Sequence, residues 1–185
     1  AVQTSTDGTG KVTVTFNISD PQNDISSMLV HFSVDGGTIW RQAYIESSSV
    51  GVVNNAGVNT GTSTGQITGI GTPQTGATFV WHTQNANNQG GAYLGESTNV
   101  YVRLTPKDGT NTGAMRYSTF FAVDNVAPVG IDLQYPENFD MGIGVNVTLT
   151  AQPSVDISTV LYMFQVDEAP ADWLAGFAAE RMGDD

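Results

Sequence analysis

The feature that most constrains this chain is a two-residue alternation of apolar and polar side chains. Every second side chain is apolar in KVTVTFNISD and again in SSMLVHFSVDGG, at Val12, Val14, Phe16 and Ile18 and then at Met28, Val30, Phe32 and Val34. This period is typical of β-strands that bury one face and expose the other. Four more segments are predicted as strands: IWRQAYI (39–45), ATFVWHTQ (77–84), NVYVRLTP (99–106) and MRYSTFFAVD (115–124).

Clusters of turn residues separate these segments, as in DPQND, DGG, NNQGG and KDGTNTG. Glycine supplies positive φ, and Asp and Asn bond their own backbone, so each cluster favours a reversal of the chain. Many strands, short turns and no convincing amphipathic helix predict an all-β fold, built as a sandwich or a barrel.

Two stretches depart from the alternation. Residues 47–76 are rich in Gly, Thr, Ser and Asn, and they fit a mobile loop and a hairpin covering a sheet edge equally well. In FAVDNVAPVG a strand ends at Val123, and Pro128 cannot donate a ladder hydrogen bond. This predicts a first domain at 1–125 and a second unit at 126–185.

The second unit is predicted to be short or truncated. Its segment GVNVTLTAQPSVDISTVLYMFQVD supplies two more alternating strands. A length of roughly 60 residues is small for a free-standing sandwich, so the unit either continues in a longer parent chain or completes itself against a neighbour. The tail APADWLAGFAAERMGDD predicts a short C-terminal helix that begins at Pro170 or Asp172 and ends at Gly183.

The composition excludes several classes of protein. Charged residues make up 13% of the 185 residues, and the net charge is −12 with only six Lys and Arg. Partners such as nucleic acid or an anionic membrane need basic surface and are not expected. The absence of Cys excludes disulfides and Cys-ligated zinc. A surface of Thr, Ser, Asn, Gln and Gly favours an extracellular protein, and the lack of disulfides favours a prokaryotic or phage source.

The order of the segments resembles a repeated bacterial Ig-like or fibronectin-III-like module of secreted and surface proteins. The resemblance covers most of residues 10–128 and is carried by VTVTFNISDPQND, VHFSVDGGTIW, FVWHTQNANNQGG, VYVRLTPKDGTNTG and FFAVDNVAP. The last of these also resembles the linkers between cadherin-like repeats. The resemblance implies an antiparallel β-sandwich followed by a second, partial one, outside the cell, and it implies no fixed activity.

The stretch SVDGGTIW, residues 33–40, matches Ser-x-Asp-x-Gly-x-x-Trp and resembles the Asp-box of sialidases and other secreted glycan-handling proteins. In this pattern the Asp accepts backbone N–H bonds across a tight turn, and glycine permits positive φ. A sialidase needs several such hairpins and an arginine cluster. The single copy here is therefore interpreted as a structural turn formed by Ser33, Asp35, Gly37 and Trp40.

Oxygen-bearing side chains recur at the predicted turns and at the linker, at Asp20, Asn23, Asp24, Asp108, Asp124 and Asn125. Calcium takes about six to eight oxygen ligands of this kind. Two interpretations stay open: a calcium site like those that stiffen cadherin-like linkers, or a set of turn caps.

Four further interpretations concern the histidines, the tryptophans, the tyrosines and catalytic motifs. His31 and His82 lie mid-strand and are expected to be solvent-facing or hydrogen-bonded, because two His alone do not make a zinc site. Trp40 and Trp81 are predicted core residues. The tyrosines that offer a sugar-binding platform are Tyr44, Tyr93 and Tyr101. The sequence has no GxSxG, HExxH or P-loop motif in a suitable context, so no enzymatic activity is predicted.

The leading function expected from the sequence is a non-enzymatic structural or adhesion module of a prokaryotic or phage surface assembly or filament. Such a module acts as a rigid spacer and self-associates through strand edges or through its second unit. The alternative is a carbohydrate-binding accessory module of a larger secreted enzyme.

Overall fold

The computed structural model describes residues 9–22, 26–60, 65–109 and 111–127, together with short strands at 2–3, 133–135, 150–151, 163–164 and 183–184. The chain divides into two compact units, Ala1–Ala127 and Pro128–Asp185. The division falls within FAVDNVAPVG, the segment that the sequence indicates as a linker.

In the described part of the first unit, twelve strands and one short 3-10 helix, Val58–Thr60, are present. The strands are β1 (Val2–Gln3), β2 (Lys11–Ile18), β3 (Ser26–Ser33), β4 (Arg41–Gln42), β5 (Ile45–Ser48), β6 (Val52–Asn54), β7 (Gln66–Ile70), β8 (Gln74–His82), β9 (Glu96–Asp108), β10 (Asn111–Thr112), β11 (Arg116–Tyr117) and β12 (Phe121–Asp124).

These strands form two antiparallel sheets. The smaller sheet has the order β1-β2-β8-β5, and the larger sheet has the order β10-β9-β3-β7-β6. In the larger sheet β11 and β12 also pair with β9, and β4 pairs with β3. The described strand pairs of the unit are all antiparallel, so the prediction of an all-β fold is confirmed.

One hydrophobic core lies between the two sheets. The smaller sheet contributes Val12, Val14, Phe16, Phe79 and Trp81, and the larger sheet contributes Met28, Val30, Phe32, Val100 and Val102. The rings of Phe32 and Trp81 meet across the core with centroids 4.5 Å apart. The alternation therefore assigned the buried faces of β2 and β3 correctly, although Ile18 and Val34 at the segment ends are only partly buried.

Residues 39–45 do not form the single strand predicted from IWRQAYI. Arg41–Gln42 pairs with β3 in the larger sheet, whereas Ile45 begins the strand that pairs with β8 in the smaller sheet. Between them the Ala43 N–H donates to a β3 carbonyl and the Tyr44 carbonyl accepts from a β8 N–H, each at 3.1 Å. The chain thus crosses from one sheet to the other in this short segment.

Two further predictions need correction. Trp40 is partly buried and lies outside the core, because its ring packs against Arg103 on the outer side of the larger sheet, whereas Trp81 is fully buried. The predicted strand 115–124 is interrupted: β11 and β12 pair separately with β9, and Phe120 between them is 64% exposed.

The stretch 47–76 contains a hairpin, which decides between its two interpretations. Strand β6 pairs with β7, and β7 pairs with β3, so the hairpin extends the larger sheet. Val58, Ile67 and Ile70 are fully buried within it. Gly51 has φ +64°, and a Cβ at this position would collide with the carbonyl oxygen of Thr68, so glycine is required at the entry to β6.

Asn88 is a buried hydrogen-bonding centre beside Trp81. Its Oδ1 accepts from the Trp81 indole N–H at 3.0 Å and from the Tyr44 N–H at 2.8 Å. Its Nδ2 donates to the carbonyls of His82 and Thr83 at 2.9 Å and of Asn85 at 2.8 Å. Asn88 is 0% exposed, so one amide fixes the core tryptophan, the crossing segment and the turn after β8.

The second unit contains two described strand pairs, both antiparallel. Leu133–Tyr135 (β13) pairs with Thr150–Ala151 (β14), and Met163–Phe164 (β15) pairs with Gly183–Asp184 (β16). The predicted C-terminal helix and the alternating set Val145, Val147 and Leu149 lie outside the described residues.

The amide of Asn88 predicts a large and specific stability effect. Asn88→Asp preserves the shape but removes both N–H donors and places a carboxylate in a fully buried site. We expect the free energy of unfolding, measured with urea, to fall by about 3–5 kcal/mol. The matched variant Asn87→Asp changes an exposed neighbour and should cost less than about 0.5 kcal/mol. Equal losses in the two variants would contradict the assigned role.

Candidate functional site

The outer side of the larger sheet carries a group of aromatic side chains. Val100 and Val102 of β9 point into the core, so Tyr101 between them and Arg103 after them point outward. We call the following group the aromatic face: Trp40, Tyr101, Arg103, Met115, Tyr117 and Phe120.

Contacts join these side chains into two groups, which are neighbours because Tyr101 and Arg103 are successive outward residues of β9. The Arg103 guanidinium lies 4.6 Å from the centroid of the Trp40 ring, a cation–π contact. Trp40 and Tyr117 have ring centroids 5.6 Å apart, and Tyr117 is in register with Arg103. Tyr101 meets Phe120 edge-on at 6.3 Å. The Tyr117 hydroxyl donates to the Met115 sulfur at 3.8 Å.

Much of the aromatic face is open to solvent. Phe120 is 64% exposed, Tyr117 57% and Met115 48%, and Ile39 beside Trp40 is 51% exposed. Isolated exposed apolar side chains are common on soluble proteins, but neighbouring ones mark surfaces that bind a partner. Tyr, Trp, Met, Phe and Arg are also the residue types enriched at protein interfaces.

A row of polar side chains crosses the same side of the sheet. His31 on β3 is in register with Gln42 on one neighbouring strand and with Arg103 on the other. His31 Nδ1, Gln42 Oε1 and Arg103 Nε are buried and have no hydrogen-bond partner among the described residues. Burial, and secondly the charge of Arg103, lowers the pKa of His31 from 6.5 to about 4. The imidazole is therefore neutral at pH 7.

The structure places the four predicted turn residues in one turn at the end of β3. The Asp35 Oδ1 accepts from the N–H groups of Ile39 at 2.9 Å and Thr38 at 3.1 Å, and from the Ser33 hydroxyl at 2.6 Å. These hydrogen bonds, led by the one from Ile39, lower the pKa of Asp35. The Ser33 hydroxyl also accepts from the Gly37 N–H at 2.9 Å.

This turn positions Trp40. Gly36 and Gly37 have φ of +73° and +91°, which glycine adopts without strain. The Gly36 N–H donates to the carbonyl of Asn99 at 3.1 Å, so the turn is anchored to β9. A Cβ at Gly37 would lie 3.6 Å from the Trp40 ring, which shows how closely the indole packs on the turn.

The predicted calcium ligands are separated in the structure. Asp20 and Asp108 line one cleft of about 240 Å³ together with Lys107 and Asn111. The Asp20 Oδ1 accepts from the Gln22 N–H at 3.1 Å, as a turn cap does. Asn23 and Asp24 lie outside the described residues.

Asp124 and Asn125 lie at the opposite end of β9 from that cleft and bond within the unit. The Asn125 Nδ2 donates to the Tyr93 carbonyl at 2.7 Å and to the Thr83 hydroxyl at 3.0 Å. The Asp124 Oδ1 accepts from the Val126 N–H at 3.1 Å. Across the described residues, no group of three or more His, Asp or Glu side chains is arranged to hold a metal ion.

The other aromatic and histidine candidates do not assemble into one site. His31 and His82 belong to different sheets. Tyr101 lies on the aromatic face, whereas the backbones of Tyr44 and Tyr93 bond to His82 and Thr83, at the end of the core strand β8. Tyr93 packs against the core, and burial is the main cause that raises its pKa. The three tyrosines therefore do not form the predicted platform.

The aromatic face was largely missed by reasoning from the sequence. Its main signal is in NVYVRLTP, where the positions that alternate with core valines carry Tyr101 and Arg103 rather than small polar residues. Tyr117 and Phe120 were assigned to one continuous strand, which hid their exposure.

Comparison with models of known protein families, with curated proteins and with solved structures finds no match to this chain. The described residues include no helix long and apolar enough to cross a membrane.

The neutral state of His31 predicts a pH-dependent stability. The unfolded chain, with a His pKa near 6.5, binds more protons than the folded chain between about pH 4 and 6.5. The contribution of His31 to the free energy of unfolding is therefore complete above about pH 6.5 and is lost as the pH falls toward 4. We expect His31→Gln to lose less stability than the wild type between pH 7 and pH 4.5 in urea unfolding. Equal losses of stability in the variant and the wild type, or a His31 pKa near 6.5 measured by NMR, would contradict this prediction.

Proposed function

We propose that this chain is a non-enzymatic module of an extracellular prokaryotic or phage assembly, with an Ig-like or fibronectin-III-like first domain and a partial second one. It acts as a rigid spacer that associates with further copies of itself. The observation that carries the proposal is the aromatic face: Tyr117, Phe120 and Met115 are exposed on the larger sheet, and Tyr117 packs beside Trp40, which lies against Arg103. The small fraction of charged residues, 13%, supports an extracellular location, and the absence of Cys supports a prokaryotic or phage source.

The proposed contact uses the face of the sheet rather than its edges. The outermost strands of the described sheets are short, namely Val2–Gln3, Ile45–Ser48, Val52–Asn54 and Asn111–Thr112. Short edge strands offer few backbone groups to a neighbour, and proteins use them to prevent edge-to-edge pairing. Aromatic side chains on a rigid sheet lose little conformational entropy on binding.

In this proposal Asp35 and its turn have a structural role. Its carboxylate is occupied by hydrogen bonds within the turn, and its effect is to hold Trp40 against Arg103. Calcium is retained only as a subordinate proposal, for the cleft lined by Asp20 and Asp108.

Charge placed on the aromatic face should prevent self-association. In the full chain, Tyr117→Asp combined with Phe120→Asp replaces two exposed rings with carboxylates. Because central aromatic residues each contribute about 2 kcal/mol or more to an interface, we expect self-association to weaken by roughly 30-fold or more. Sedimentation velocity over a concentration series measures the effect.

Two control variants distinguish association through the aromatic face from association through an edge strand. Thr15→Asp adds a carboxylate to an exposed outward position of β2 in the smaller sheet, and Val52→Asp adds one to an edge strand where Val52 is 67% exposed. Both should associate like the wild type. Loss of association in Val52→Asp but not in the face variant would indicate edge pairing. A wild-type chain that stays monomeric at every concentration would overturn the proposal.

Carbohydrate binding, within a larger secreted enzyme, is the second candidate. It is favoured by the exposed Tyr117 ring next to Trp40 and the Arg103 guanidinium, because a sugar ring packs on aromatic groups while its hydroxyls accept from charged donors. A glycan array probed with the wild type, Tyr117→Ala and the control Tyr44→Ala tests it. Binding lost only in Tyr117→Ala supports this candidate, and a wild type that binds no glycan rejects it.

A further inference from the structure

We propose that Asp108-Gly109 is a site of spontaneous isoaspartate formation, and that the same dipeptide at Asp35-Gly36 is protected by the fold. In this reaction the backbone N of the glycine attacks the side-chain carboxyl carbon of the aspartate. A C–N bond forms, and the carboxyl OH leaves as water together with the N–H proton. Water then adds to the main-chain carbonyl carbon of the succinimide ring, and the bond from that carbon to the glycine N breaks. The product has the original mass and a main chain that is one carbon longer.

The Asp-Gly dipeptide favours this reaction because glycine has no Cβ to hinder closure of the ring. The sequence contains Asp-Gly three times, at Asp7-Gly8, Asp35-Gly36 and Asp108-Gly109, and the first of these lies outside the described residues. Ring closure needs a carboxyl group that can rotate onto the next backbone N, and an N–H that is not engaged elsewhere. The two described dipeptides differ in both respects.

Both reacting groups of Asp35-Gly36 are engaged in hydrogen bonds. The Asp35 Oδ1 accepts from the Ser33 hydroxyl at 2.6 Å and from the N–H groups of Ile39 at 2.9 Å and Thr38 at 3.1 Å. The Gly36 N–H donates to the carbonyl of Asn99 on β9 at 3.1 Å. Ring closure at Asp35 therefore requires hydrogen bonds to be broken at the carboxylate and at the attacking N–H.

Neither reacting group of Asp108-Gly109 is held in this way. Asp108 ends β9 and is in register with Asn111, so the chain reverses between them. In a two-residue hairpin loop the ladder bonds are made by the flanking residues, and the N–H of the first loop residue stays outside the ladder. Among the described residues, none donates to the Asp108 carboxylate and none accepts from the Gly109 N–H. Gly109 is exposed, and a Cβ there would have no neighbour within 4 Å.

The end of the β9–β10 hairpin is also weakly packed. Strand β10 has two residues, both exposed, and Asp108 lines a solvent-accessible cleft rather than the core. Segments with few buried contacts open locally at low cost in free energy, which allows the Asp108 carboxyl group to reach the Gly109 N. The Asp35 turn, by contrast, packs against the Trp40 ring. Isoaspartate at position 108 would lengthen the main chain at the end of β9, away from the aromatic face.

Ageing of the folded, full-length chain at neutral pH, followed by tryptic peptide mapping, tests the proposal. Cleavage after Lys and Arg places the two dipeptides in separate peptides, residues 12–41 and 108–116. Protein isoaspartyl methyltransferase quantifies isoaspartate in each peptide, and fragmentation in the mass spectrometer locates it. Because ring closure at Asp35 must first break a hydrogen bond to a charged group, we expect isoaspartate to form there at least roughly tenfold more slowly than at Asp108.

Three controls attribute the difference to the fold. In the chain unfolded with guanidinium chloride the two dipeptides should react at similar rates. Asp108→Glu keeps the charge but would have to close a six-membered ring, so the signal from residues 108–116 should disappear. Ser33→Ala removes one hydrogen bond from the Asp35 carboxylate and should raise the rate at Asp35 alone. Equal rates at the two dipeptides in the folded chain, or no isoaspartate at Asp108 while the unfolded chain forms it, would overturn the proposal.

Discussion

The first unit depends on one buried contact, the packing of Trp81 against Phe32 across the two sheets. The indole can be buried because Asn88 accepts its N–H, and an unpaired indole N–H in the core would be costly. The same amide holds the Tyr44 N–H in the segment that crosses between the sheets. Core packing and backbone connectivity are therefore fixed at the same place.

The position of the aromatic face follows from this constraint. Trp40 lies on the outer side of the larger sheet, just before the chain crosses to the smaller sheet. The Asp35 turn then holds it within reach of Arg103, and the register of β11 with β9 brings Tyr117 to the same place. The aromatic group is thus a product of pairing between β3, β9 and β11, and the same pairing places the partly buried His31 beside Arg103.

The sequence predicted the structure correctly where the alternation of apolar and polar residues within one strand determines which side chains are buried. In β2 and β3 the alternation identified the buried positions, because one face of each strand meets a single core. It was uninformative for 39–45, since alternation does not say which sheet each half of a segment joins. It was weak for 47–76, where the hairpin covers an edge and polar residues dominate. The aromatic face was missed because outward aromatics have the same period as inward ones, and only the register with distant strands separates them.

We propose that this module associates through the outer side of the larger sheet rather than through a strand edge. Hydrogen–deuterium exchange of the full chain, compared at low and high protein concentration, distinguishes the two contacts. If the outer side of the sheet forms the contact, high concentration slows exchange in residues 99–105 and 115–120 and leaves residues 52–54 at the edge unchanged. Slower exchange confined to residues 52–54, or exchange that is independent of concentration throughout, would contradict it.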